Sequence, residues 1–136
     1  MLKRFSISLE EKLLDIFDAH IKTHSYSNRS EAIRDLIRKA FVKEEWQADK
    51  QVMGVISLVY DHHQHKLQEK VTLVQHDYHH HIVSTTHVHM DHDNCLEVIV
   101  VRGKAKEVQE LSDRLTSLRG VRDGNLAMSS TGVSLH

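Results

Sequence analysis

The side chains best suited to transition-metal chemistry are His87, His89 and Cys95: two imidazoles two residues apart, then the only cysteine of the chain six residues on. On a strand, residues i and i+2 project from one face, so both imidazoles can reach one ion. Asp91-His92-Asp93-Asn94 supplies a polar turn, and Cys95 opens the returning strand. The aliphatic alternates Leu96, Val98 and Val100 are expected to pack under helices. His87, His89 and Cys95 then share the face turned away from those helices, where another subunit can dock. One hairpin yields three ligands. His76, at the end of the preceding helical stretch, is the expected fourth, from the same chain or a partner's, with His79 as its rival. Three imidazoles and a thiolate suit tetrahedral zinc, or tetragonal nickel(II) or copper(II), and spacing does not choose among them.

Thirteen histidines in 136 residues are a compositional outlier, and nine fall between positions 62 and 89. His62, His63, His65, His79, His80, His81 and His92 are expected to be solvated or to support the ligands from outside, with weak extra metal binding as the lesser reading; His136 is the chain end. A zinc hydrolase would need an open coordination position and a general base. Glu97 shares the strand face of Cys95, but four protein ligands leave no place for water. Neither a nucleophile motif nor a phosphate-cradling glycine loop occurs elsewhere, so an enzyme is not expected.

A different pattern occupies the beginning. Lys3 to Leu9 alternates as a half-buried strand does, with Arg4, Ser6 and Ser8 on one face and Phe5, Ile7 and Leu9 on the other. Ser8 and Glu11 read as a capping box before a helix carrying Leu13, Leu14, Ile16, Phe17 and Ile21. Asn28-Arg29-Ser30-Glu31 reads as a second box before Ala32, Ile33, Leu36, Ile37, Ala40 and Phe41. A strand and two helices in about 45 residues cannot bury their own apolar surface, and a lone strand leaves both edges open. Pairing with a second copy is the remedy. A two-stranded ribbon so formed fits the DNA major groove, with Arg4 suited to guanine and Ser6 and Ser8 able to donate or accept. The helix start at Asn28, Arg29 and Ser30 suits a phosphate.

The rest reads as strand 52–60, helix 61–75, strand 79–90, strand 95–102, helix 103–118, a turn over 120–124 and strand 125–130. That β-α-β-β-α-β order is the ferredoxin-like, ACT-like arrangement, and the whole chain is an α+β protein. The expected division is 1–46 for DNA binding and 52–136 for metal binding and assembly. Charge agrees: nine Lys/Arg face six Asp/Glu over residues 1–43, while nine face thirteen over 44–136. A single cysteine excludes an internal disulfide, and no apolar run is long enough to span a bilayer. The expected location is the cytoplasm.

Together these residues resemble the nickel-responsive repressors of the NikR family over essentially the whole chain. Asn28-Arg29-Ser30-Glu31-Ala32-Ile33-Arg34-Asp35 is similar to the second helix of their ribbon-helix-helix domain. His87-Val88-His89 followed by Asp93 and Cys95-Leu96-Glu97 is the most specific element. The resemblance implies a homotetramer, a dimer of dimers, that represses nickel-uptake genes. It implies one nickel(II) per subunit, square planar, on His87, His89 and Cys95 of one subunit and His76 of another. It implies operator contacts from Arg4, Ser6 and Ser8, and a second, weaker cation such as potassium at Glu31 and Asp35. The chain departs from the family at Gln64 and His65, where some relatives carry basic residues near DNA, and at Ser6 and Ser8, where threonines are frequent. A repressor sensing a small molecule around a structural zinc is the alternative reading.

Overall fold

The computed structural model describes residues 1–136, which fall into two compact units, Met1–Ala40 and Phe41–His136. The first unit holds helix α1 (Glu11–Thr23) and most of helix α2 (Arg29–Gln47). Residues 1–10 form no hydrogen-bonded strand. A ladder needs a second strand, and this unit contains none, so the alternation of Phe5 and Ile7 goes unused: they are 72% and 63% exposed. Leu13, Ile16, Leu36 and Ile37 are exposed as well. The capping box expected at Ser8 does not form either; Glu10 is the N-cap of α1 and makes no side-chain cap bond.

The second box is half realised. Asn28 Oδ1 accepts the Glu31 amide at 2.9 Å, which satisfies one of the unpaired donors that open α2. Asn28→Ala is therefore expected to cost about 1 kcal/mol of stability. Thermal melting of the full chain checks it, and an unchanged midpoint would show that the cap contributes nothing.

The second unit is built on an antiparallel sheet of β1 (Gln51–Asp61), β2 (Ile82–His89), β3 (Asn94–Lys104) and β4 (Val121–Ser130), in the order β2-β3-β1-β4. Helices α3 (His65–Asp77) and α4 (Ala105–Thr116) connect the strands, giving the β-α-β-β-α-β order expected from the sequence. The segment 120–124 is not a separate turn, because β4 already begins at Val121. Leu67, Val71 and Val74 of α3 and Ala105, Val108, Leu111 and Leu115 of α4 recur at helical spacing and are buried. They close over Val52, Ile56, Leu58 and Tyr60 of β1 and Ile99 and Val101 of β3, with Trp46 completing the core. Each such large apolar side chain contributes about 1.5–3 kcal/mol through burial.

The two faces of the sheet are the reverse of the sequence expectation. Along β3 it is Cys95, Glu97, Ile99 and Val101 that are buried, while Leu96, Val98 and Val100 are only half-buried. A Cβ at Gly54 would meet Val108 of α4, and Gln75 of α3 bonds Glu97, so both helices cover the Cys95 face. Alternation shows which residues share a face but not which face the helices take. The aliphatic set Val55, Val59, Leu96, Val98 and Val100 lies on the opposite side, where register pairs Val55 with Val100 and Val59 with Leu96.

Candidate metal centre

Register carries the ligand geometry. His87 lies opposite Glu97 and His89 opposite Cys95 across β2 and β3, and Tyr60 lies opposite Cys95 across β1 and β3. His87, His89 and Cys95 therefore share one face, as their spacing predicts, at the turn end of the hairpin. The two imidazole rings are 5.2 Å apart, and the Tyr60 ring meets His87 edge-on at 6.3 Å. The turn is held by Asp91, whose Oδ1 accepts the amides of Asn94 and Asp93 at 2.8 and 2.9 Å. Those bonds keep its carboxyl below the usual carboxylate range.

The partners of these donors say what they can do. Cys95 is fully buried and its Sγ donates to the Tyr60 carbonyl at 3.4 Å. Burial pushes its thiol pKa up, which favours the inert thiol unless a cation stabilises the thiolate. His87 Nδ1 lies 3.4 Å from Glu97 Oε1, and Gln75 Nε2 donates to the other Glu97 oxygen at 3.1 Å. Thr85 Oγ1 donates to Gln75 Oε1 at 3.1 Å. Burial raises the Glu97 pKa, against the pull of His87. A carboxylate behind a ligating imidazole sets its tautomer and ring orientation, the usual support around a bound metal. Two borderline nitrogen donors, one soft sulfur donor and an orienting carboxylate fit nickel, zinc or copper and would suit magnesium or calcium poorly. A metal here would draw on the ring nitrogens of His87 and His89 and the sulfur of Cys95. These three donors do not converge within 4.8 Å of one another, since Cys95 is turned to Tyr60 and His87 to Glu97.

His76 is exposed on α3; its ring stacks on that of His79 at 5.8 Å, and its carbonyl accepts from His79 Nδ1 at 2.9 Å. No contact joins it to the other three within the chain. Glu97, weighed as a base and as part of the family-like stretch after Cys95, stands behind His87. Tyr60 and Gln75 were not singled out by the sequence. The parity of β1 could have pointed to Tyr60, whereas nothing but its place beside His76 distinguishes Gln75.

In the first unit Arg4, Ser6 and Ser8 are exposed. Arg29 forks onto Asp18, with both bonds 2.9 Å long, which holds the Asp18 carboxyl below its ordinary range. The guanidinium expected for a phosphate is thus already engaged. Asn28 is spent on the cap, and Ser30 is exposed. Glu31 pairs with Arg34, and Asp35 accepts from Tyr26 and pairs with Lys39 at 3.2 Å.

Comparison with known proteins agrees with this layout. Residues 53–129 match the NikR C-terminal nickel-binding domain, and residues 3–44 match the ribbon-helix-helix proteins of the copG family. A protein of Desulfotalea psychrophila named as a nickel-responsive regulator is 72% identical over the full length of both chains. One of the same name from Geobacter sulfurreducens is 51% identical over 98% of this chain and 96% of its own. Among solved structures, the uncharacterized protein TM1266 of Thermotoga maritima superposes with a TM-score of 0.53 at 15% identity. It covers 58% of this chain and 98% of its own, a likeness of fold alone. The chain therefore belongs to the NikR family of nickel-responsive transcriptional regulators: a ribbon-helix-helix DNA-binding domain joined to an ACT-like nickel-binding domain, and not an enzyme.

Proposed function

We propose that this chain is a nickel-dependent repressor of nickel-uptake genes, with residues 1–46 binding operator DNA and residues 52–136 binding metal and assembling the subunits. The observation that carries the metal assignment is the register that puts His87, His89 and Cys95 on one face with Glu97 behind His87. One nickel(II) per subunit is assigned to those three donors and to His76 of another subunit. The exposure of His76 and its lack of contact with its own chain's set support that fourth donor. When bound, nickel supplies a strong bond to the Cys95 sulfur and a tie between subunits. Glu97 orients His87, and Gln75 links that carboxylate to α3, so the ligand set and the helix bearing His76 are mechanically joined.

Operator contacts are assigned to Arg4, Ser6 and Ser8 on a ribbon shared by two chains. The exposed Phe5 and Ile7 support that pairing, because a second copy of the strand would bury them. Asn28, Arg29 and Ser30 open the helix that would face a phosphate, with its backbone amides rather than the Arg29 fork as the donors. The assembly is a dimer of dimers in the cytoplasm; no helix is long and apolar enough to cross a membrane. A second, weaker cation such as potassium is assigned to Glu31 and Asp35, i and i+4 on α2. It must compete there with Arg34 and Lys39.

Nickel can gate DNA binding only through its differential affinity for the DNA-competent arrangement, about 1.4 kcal/mol for each tenfold. With duplexes selected from a random pool by the nickel-loaded protein, a gel shift is expected to show binding weaker by about tenfold or more after nickel is removed. Equal binding with and without nickel would overturn the reading.

A further inference from the structure

The turn between β2 and β3 brings a second set of metal-ligating side chains to the surface. His63, His92 and Asp93 each present a donor atom, and these atoms all lie within 4.8 Å of one another. They come from two loops far apart in sequence, and the backbone holds the loops together. The His62 amide donates to the Asp93 carbonyl at 3.2 Å, and the His63 amide to Asp61 Oδ1 at 2.9 Å. The rings of His62 and His63 both bring Nε2 to the His92 carbonyl, at 2.8 and 2.9 Å. The rings of His63 and His92 are 5.2 Å apart.

We propose that His63, His92 and Asp93 hold a second divalent transition-metal ion, distinct from the one on His87, His89 and Cys95. Two imidazoles and a carboxylate are a transition-metal donor set, and three protein ligands leave room for water. Ligand atoms around a zinc-sized ion sit roughly 3–3.5 Å apart, so the set must close by about an ångström. All three residues are exposed, and small rotations about their side-chain bonds would close it without disturbing the core. The His62 ring stands between the two sets, 4.1 Å from His63 and 4.9 Å from His89. The second site stands on its own donors and does not depend on nickel gating DNA.

Titration of the nickel-loaded full chain with zinc, followed by calorimetry, tests it. A second event of about one zinc per chain is expected, while the nickel–thiolate absorption of the first site persists. His92→Gln and His63→Gln are each expected to weaken that event by more than about tenfold, beyond what loss of an outer partner gives. Asp93→Asn repeats the test without touching either ring. The proposal is overturned if no second event occurs up to millimolar zinc. It is equally overturned if the event survives all three substitutions unchanged, or is lost instead on replacing His79 and His80.

Discussion

A Cys95→Ser chain is expected to lose the nickel–thiolate charge-transfer absorption and about a hundredfold in nickel affinity. Metal sites with four protein ligands reach binding free energies of order 10–16 kcal/mol, so one ligand accounts for about 3 kcal/mol, or two decades. The loss would be chemical rather than structural. Cys95 is fully buried, but serine differs from it by one atom and can donate to the same Tyr60 carbonyl that now accepts from Sγ at 3.4 Å. The fold should change by no more than about 1 kcal/mol. Serine cannot supply the sulfur donor, because its hydroxyl stays protonated where the thiol, already pushed up by burial, needs a cation to ionise. Competition against a chelator of known affinity, with a melting curve beside it, separates the two effects. Undiminished nickel affinity in a folded Cys95→Ser chain would exclude the thiolate as a ligand.

That His87, His89 and Cys95 share one face was legible because three physical regularities coincide there: period-two alternation, a polar turn of four residues, and a lone cysteine at the start of the return strand. The same regularities carried the β-α-β-β-α-β order, since Leu67, Val71 and Val74 and the series from Ala105 to Leu115 repeat at helical spacing. What alternation cannot state is the sign of a face. Leu96, Val98 and Val100 look more like core than Cys95 and Glu97 do, yet the latter pair sits beneath α3, where Gln75 satisfies the buried carboxylate. A polar residue inside is unreadable until its partner is known, and that partner lies 22 residues away in sequence. The strand expected over Lys3 to Leu9 does not form in the single chain, because a ladder needs a second strand that this unit lacks. The pairing of His63 with His92 and Asp93 is unreadable in the sequence for the same reason: two separate loops meet there, and nothing in either announces the other.

Adjacent positions on β3 should therefore respond in opposite ways. Ile99 is fully buried beneath the helices, and Ile99→Ala is expected to remove about 2–5 kcal/mol of stability through lost burial and the cavity left behind. Val98, one residue earlier, points to the other face, opposite Ser57 of β1 and Thr86 of β2. That face carries Val55, Val59, Leu96 and Val100, a contiguous aliphatic surface that the chain's own helices leave half-buried. Such a surface suits the dimer-of-dimers arrangement proposed above, because single-chain proteins rarely leave contiguous apolar patches to water. Val98→Asp would place a charge in that contact, where an unpaired buried carboxylate costs several kcal/mol. Light scattering is expected to show the mass of Val98→Asp falling from four chains to two, with its circular dichroism retained. Ile99→Ala should show the converse, a lower melting point with the assembly intact until the fold is lost. A Val98→Asp protein that kept its full mass would place the subunit contact on another face, such as the helix-covered side that carries His87, His89 and Cys95.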